Sequence, residues 1–181
     1  MNTVSLITSK TESPKVRLSP MISEALPLII SWAEKAENAE FFRRFPPMCD
    51  WVSWERAMLA FGQMWLVNEG DKIVGVAGLF SHDIFSHHAD FGILVDNETS
   101  KQRSETCRQA SFQVWEYGFN YLRLNKINIK ILTNRSKLAK RMESCGFKLD
   151  GILRSNSYFQ EQYVDEMFYS CLKSDYVRGN G

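Results

Sequence analysis

Residues Ala89–Phe147 read ADFGILVDNETSKQRSETCRQASFQVWEYGFNYLRLNKINIKILTNRSKLAKRMESCGF. Asp90–Val95 has the composition of a strand, and 96–104 is a polar loop. From about Ser104 to Leu122 apolar residues recur at Cys107, Ala110, Val114, Gly118 and Tyr121, the three-to-four spacing of a helix face. Phe112, Trp115, Phe119 and Leu122 add a second row, so this helix lies against a sheet with more protein beside it. In Asn125–Leu132, Ile127, Ile129 and Ile131 alternate with polar residues, the period of a strand. A short helix capped by Asn134 or Ser136 then runs to Ser144 and ends at Gly146. The stretch is one parallel strand–helix–strand crossover. The loop from its first strand opens onto a helix start, where free N–H groups and the helix dipole can hold an anion, helped by Lys101, Arg103 and Arg108.

Working outward, Val16-Arg17-Leu18 is a short strand and Ser19-Pro20 breaks it. Ser23 to about Lys35 is an amphipathic helix with Ser23 as its N-cap. Asn38–Phe45 and Asp50–Ala60 are two further helices. Phe41, Phe42 and Phe45 are either buried or the wall of a substrate cleft. Asn68-Glu69-Gly70-Asp71 is the turn of a hairpin between strands Met64–Val67 and Lys72–Phe80. Gly75 and Gly78 mark a bend or a close backbone approach. Gly151–Phe159 and Tyr163–Leu172 form a terminal hairpin. The result is a mixed α/β sheet, mostly antiparallel, with one parallel β-α-β crossover and flanking helices. Residues 16–176 make one domain, with a loose arm at 1–15 and a tail at 177–181.

The chain has 181 residues, 44% hydrophobic and 24% charged, with a formal net charge of +1. That balance suggests no nucleic-acid partner. The four cysteines, Cys49, Cys107, Cys145 and Cys171, form no close pair, which argues against a zinc site or a disulfide framework and fits a cytoplasmic protein. No stretch reads as a signal core or a membrane span. His82, His87 and His88 with Asp83 and Asp90 match no standard ligand spacing, so no metal is expected.

Taken in order, certain words resemble the GCN5-related N-acetyltransferase (GNAT) family, closest to its ribosomal-protein and spermidine acetyltransferase branch. They are Arg17-Leu18-Ser19-Pro20, Ile73-Val74-Gly75, Asp90-Phe91-Gly92-Ile93-Leu94-Val95-Asp96, Tyr117-Gly118-Phe119, Leu124-Asn125-Lys126-Ile127, Glu143-Ser144-Cys145-Gly146-Phe147, Gly151-Ile152-Leu153-Arg154 and Tyr163-Val164-Asp165 with Tyr169. The resemblance implies acetyl transfer from acetyl-CoA, as co-substrate, to a primary amine: a protein N-terminus, a polyamine or an amino sugar. It implies that the strand Asp90–Val95 splays from Ile127–Leu132, that the donor's pantetheine arm pairs near Ile93, Leu94 and Val95, and that its pyrophosphate rests on the following loop and helix start. Relatives often dimerise through sheet edges or the terminal hairpin, where Phe159 and Phe168 would contribute.

The family's pyrophosphate loop follows Gln/Arg-x-x-Gly-x-Gly/Ala. Counting back from Tyr117-Gly118-Phe119 sets Gln102, Arg103, Ser104, Glu105, Thr106 and Cys107 on that pattern. Glu105 stands where the first glycine belongs and Cys107 where the small residue belongs. A carboxylate about 5–6 Å from a phosphate charge repels it by roughly 3 kcal/mol at an effective dielectric of about 20, before screening. A second register uses Lys101, Ser104 and Thr106. Met142 replaces the tyrosine that many relatives use to protonate the leaving thiolate. Asn134-Arg135-Ser136 resembles a compressed Asn-x-x-Ser motif, which makes Ser136 a candidate proton donor and Asn134 a candidate contact to the donor arm, unless both are simply helix caps. Asp90 is the candidate base, acting through a water, or else a paired strand residue. Tyr158 and Tyr163 could line the acceptor end. Cys107 reads better as a buried thiol than as a nucleophile. The competing expectation is a GNAT-fold binding or structural protein that has lost CoA through its glycine-free loop.

Overall fold

A computed structural model describes residues 16–35, 38, 41, 62–96 and 103–179. Its strands are β1 (Val16–Pro20), β2 (Gly62–Glu69), β3 (Lys72–Asp83), β4 (His88–Val95), β5 (Lys126–Leu132), β6 (Lys148–Phe159) and β7 (Gln162–Leu172). They form one seven-stranded sheet in the order β1-β2-β3-β4-β5-β7-β6. Neighbours pair antiparallel except β4 and β5, which are parallel. The helices are α1 (Leu26–Ala33), α2 (Arg103–Glu116), α3 (Ser136–Ser144) and α4 (Lys173–Gly179). None of the described helices is long and apolar enough to cross a membrane.

The parallel pair forces a crossover, and α2 supplies it with one apolar side. Ala110, Val114 and Trp115 are buried with Ala89, Phe91, Ile127, Ile129 and Ile131, and α3 adds Ala139 and Met142 to the same core. Trp115 sits among three rings, Phe91, Phe112 and Phe147, at 4.9–5.5 Å between centroids. Gly118 lets the helix close onto the sheet, because a Cβ there would meet Ile127, Leu124 and Leu79 side chains at 3.1–3.2 Å. On the other face a second core gathers Ile29 and Trp32 of α1 with Phe41, Leu66, Val76, Phe80 and Leu94. Residues of even number on β4, from Asp90 to Leu94, therefore look toward α1, and their odd-numbered neighbours look toward α2.

Several local expectations give way to tertiary context. The first helix starts later than Ser23: residues Ser23–Ala25 form a 3-10 turn, and the cap position of α1 falls on Ala25. Pro27, in the first turn of α1, suits that position because its missing N–H would be unpaired there anyway. β3 runs to Asp83, past the predicted end at Phe80, and a turn at 84–87 follows it. The long helix finishes as a π turn over Tyr117–Tyr121. The cap position of α3 falls on Arg135, between the predicted Asn134 and Ser136, and Arg135 makes no side-chain cap bond there. Gly146, at φ 94°, does end α3, as its left-handed geometry requires. α4 was not anticipated; it continues past Tyr176, and Lys173 anchors it by donating from Nζ to the Phe119 carbonyl at 3.0 Å. The predicted helices over 38–45 and 50–60 lie outside the described residues, apart from Asn38 and Phe41.

Candidate active site

Pairing between β4 and β5 is confined to His88 with Lys126, Ala89 with Ile127 and Asp90 with Asn128. Beyond that point β4 keeps β3 on one edge, as far as the pairing of Val95 with Gly75, and has no strand on the other among the described residues. Backbone N–H and C=O groups on that open edge are available to an extended ligand. The divergence opens a cleft of about 460 Å³ between Gly92–Val95 on one side and Ile129 and Lys130 on the other. Arg103 and Cys107 of α2, Asn134 to Leu138, Arg141 and Met142 around α3, and Asn38 with Phe41 complete its wall.

The position of β4 depends on close packing behind it. A Cβ on Gly75 would fall 2.2 Å from the Leu94 carbonyl oxygen, so only glycine permits this approach of β3 to the cleft wall. At the end of β4, the fully buried Asp96 carboxylate takes a 2.9 Å ion pair from Lys35, just past α1. Its backbone N–H donates to the Val74 carbonyl. Asn38 donates from Nδ2 to the Trp32 carbonyl at 3.0 Å. These contacts hold the α1 side of the cleft against the strand that leads into α2.

Seven of the candidates from sequence meet on this wall: Ile93, Leu94, Val95, Arg103, Cys107, Asn134 and Ser136. Ser104, Glu105, Thr106 and Asp90 are not part of it, and Gln102 lies outside the described residues. Thr106 is buried and donates its hydroxyl to Glu69. Ser104 accepts from Arg141 at 3.0 Å. Glu105 turns away from the cleft. Its carboxylate accepts two bonds from Arg108, at 2.5 and 2.9 Å, and one from Gln109 at 2.7 Å. The hydrogen bonds from Arg108 and then Gln109 hold its pKa down at about 2. Cys107 goes the other way: burial raises its thiol pKa despite the nearby Arg141 and Arg103, so it is protonated at neutral pH and is no nucleophile. Tyr158 and Tyr163 pack edge to face at the far end of the terminal hairpin, both exposed, and neither reaches the cleft wall.

What sequence reading missed is the charge on α3. Arg103, Lys130, Arg135, Lys137 and Arg141 all line the cleft, and among the described lining residues there is no carboxylate. Two helix N-termini with surrounding cations make a strong site for a polyanion. The signal was present in Arg135, Lys137 and Arg141, spaced along one helix, but only docking of α3 beside α2 gives it a target. Asp90 lies on the α1 face at the last paired position. It accepts from Asn128 Nδ2 at 3.4 Å and stands 3.6 Å from Lys130 Nζ.

A mixed sheet parted at its one parallel pair, with a cation-lined cleft at the parting, defines an acetyltransferase fold. Residues 15–148 match the acetyltransferase (GNAT) domain, and the chain belongs to that family. It is 28% identical over 113 residues to the uncharacterized N-acetyltransferase p20 of Bacillus licheniformis, a match spanning 62% of this chain and 62% of that relative's length. Among solved structures it is similar to spermidine N-acetyltransferase from Vibrio cholerae in complex with CoA and spermine. There the TM-score is 0.80 at 18% identity, covering 90% of this chain and 98% of the other. The Vibrio cholerae spermidine/spermine N-acetyltransferase in complex with manganese ions gives 0.77 at 18% identity, covering 92% and 97%. At that identity the likeness establishes the fold.

Proposed function

We propose that this protein transfers an acetyl group from acetyl-CoA to a primary amine by direct attack within a ternary complex. The observation that carries this reading is the cleft at the β4–β5 divergence, open along one strand edge and ringed by cations at two helix starts. The pantetheine arm would lie along Ile93, Leu94 and Val95. The pyrophosphate would take the first turn of α2 with Gln102, Arg103, Ser104, Thr106 and Cys107 about it, and Asn134 would contact the arm. Arg103 and Arg141 would neutralise the phosphates. Glu105 has a positioning part here, holding Arg108 and Gln109 on the outer side of the helix.

In the reaction the amine nitrogen attacks the thioester carbonyl carbon, and the carbon–sulfur bond breaks. Asp90, through a water, takes the proton that the nitrogen loses. Ser136 gives its hydroxyl proton to the departing thiolate and recovers one from solvent. Both transfers are general acid–base steps. The competing reading, a silent binding module, rested on the glycine-free loop, with a side chain in place of bare backbone and a carboxylate near the donor; the bonds from Arg108 and Gln109 to Glu105 weaken the second of those grounds.

Calorimetry with acetyl-CoA is the direct test. Binding with a rise in melting temperature is expected, because a ligand of the native state stabilises it by mass action. No binding and no shift at about millimolar acetyl-CoA, well above ordinary cofactor affinities, would overturn the reading. The single domain over 16–176 is taken to act as a homodimer, since the outermost strand β6 exposes Leu149, Ile152 and Tyr158. Sedimentation as a monomer at about micromolar concentration, where stable dimers persist, removes that part.

A further inference from the structure

The two strands that form the cleft part at a definite point. Asp90 with Asn128 is the last pair between β4 and β5. Continued in the same register, the next pair on that face would be Gly92 with Lys130. Instead these two residues stand level across the opening, both on its wall. Each looks toward α1, since β4 turns its even-numbered residues that way and Ile127, Ile129 and Ile131 of β5 are buried on the other side. Gly92 has no side chain, so the narrow end of the cleft beside Lys130 is left to a ligand.

Lys130 keeps 39% of its side-chain surface exposed there, and its Nζ stands 3.6 Å from the Asp90 carboxylate. An ammonium has three N–H donors. The ion pair engages one, fixes where the group stands and leaves two for the cleft. Lys130 is also set apart from the cations that meet the phosphates. Arg103, Arg135, Lys137 and Arg141 belong to the starts and first turns of α2 and α3. Three residues of strand, about 10 Å, separate Gly92 from Val95, and the start of α2 lies beyond that. Over such a distance salt screens one charge from another.

We infer that Lys130 is a catalytic residue of the transfer: its ammonium donates to the thioester carbonyl oxygen and holds the negative charge which that oxygen acquires. The inference rests on the acetyltransferase reading above. With the pyrophosphate at the α2 start and the arm running back along Val95, Leu94 and Ile93, the thioester arrives at Gly92, level with Lys130. As the amine nitrogen bonds to the carbonyl carbon, the C=O π pair moves onto oxygen. Lys130 donates a hydrogen bond to that oxyanion and gives up no proton. The pair returns to re-form the carbonyl as the carbon–sulfur bond breaks, and the sulfur leaves with its own pair to take the proton assigned to Ser136. Phe41, Leu94 and Ile129 put apolar surface around the same point. A charge held in place in such surroundings counts for more than it does in water.

Isotope-edited infrared spectroscopy of bound acetyl-CoA, labelled at the acetyl carbonyl carbon, tests this without an acceptor. Wild type is expected to lower the carbonyl stretch below its value in water, Lys130→Met to return it, and Lys130→Arg to keep the lowering. In turnover with a primary amine, Lys130→Met should lower kcat at saturating acetyl-CoA by about a hundred- to a thousandfold, the cost of one lost oxyanion donor. Lys130→Arg should recover most of that loss, and calorimetry should find the acetyl-CoA Kd unchanged in both variants. An identical stretch in wild type and Lys130→Met overturns the inference. A weaker Kd with kcat unchanged also overturns it, because that is the mark of a group that only binds the donor. If wild type binds no acetyl-CoA, the acetyltransferase reading falls and this inference falls with it.

Discussion

The two helices whose starts open onto the cleft make one positive site by opposite routes. α2 carries an acid, Glu105, in its first turn, while α3 carries none there and begins Ser136-Lys137. Read locally, α2 looks hostile to a polyanion. In space its carboxylate is drawn outward by Arg108 and Gln109, and Arg141 of α3 reaches across to Ser104 of α2. The charge of the site therefore belongs to the pair of helices, and the loop word alone misjudges it.

That comparison can be broken most decisively at the start of α3. Ser136→Ala is expected to lower kcat by about a hundredfold, the scale of a positioned acid, with acetyl-CoA affinity unchanged. A rate within a fewfold of wild type would show that α3 contributes charge and no proton. Next, Arg141→Ala should weaken acetyl-CoA binding by roughly ten- to a hundredfold in calorimetry. Little change would return the electrostatic burden to α2. Asp96→Asn tests whether the α1 side is fastened to the strand leading into α2. It should cost about 2 kcal/mol in urea unfolding, because Lys35 loses the charge on a fully buried partner. An unchanged midpoint would mean that the ion pair is incidental.

The smallest effect is expected at Glu105 itself. Glu105→Gln should change acetyl-CoA affinity by less than about twofold, since the pair it breaks is exposed. A marked gain in affinity would mean that the carboxylate does face the donor. Its pH behaviour follows the same sign. The folded pKa, about 2, lies below the ordinary 4.5. Its contribution is complete above about pH 4.5 and fades as pH falls toward 2. Acid unfolding of the variant should differ from wild type only in that window, and slightly.

The crossover was legible because its signals are periodic. Alternating isoleucines on β5 and the apolar rows of α2 identify one buried face each, whatever surrounds them. The turn at Gly70-Asp71 and the end of α3 at Gly146 were legible for a similar reason: each asks for a local backbone state. Caps were read less well. Ser23, Asn134 and Ser136 are good cap residues, yet the cap positions of α1 and α3 fall on Ala25 and Arg135. The strand positions Ile93 to Val95 came from the family word on β4, and they do lie on the cleft wall. Lys130, Lys137 and Arg141 carried no motif and went unremarked.

Sequence by itself determined the order of the strands and the parallel crossover, because burial periodicity and turn chemistry act over a few residues. Tertiary structure alone decided which way Glu105 points, that Arg141 serves the start of another helix, and that Lys130 of β5 joins the helix cations in one cleft. Those outcomes depend on charges far apart in the chain meeting within a few ångströms. Coulomb energy follows distance in space, and the chain is folded before that distance exists.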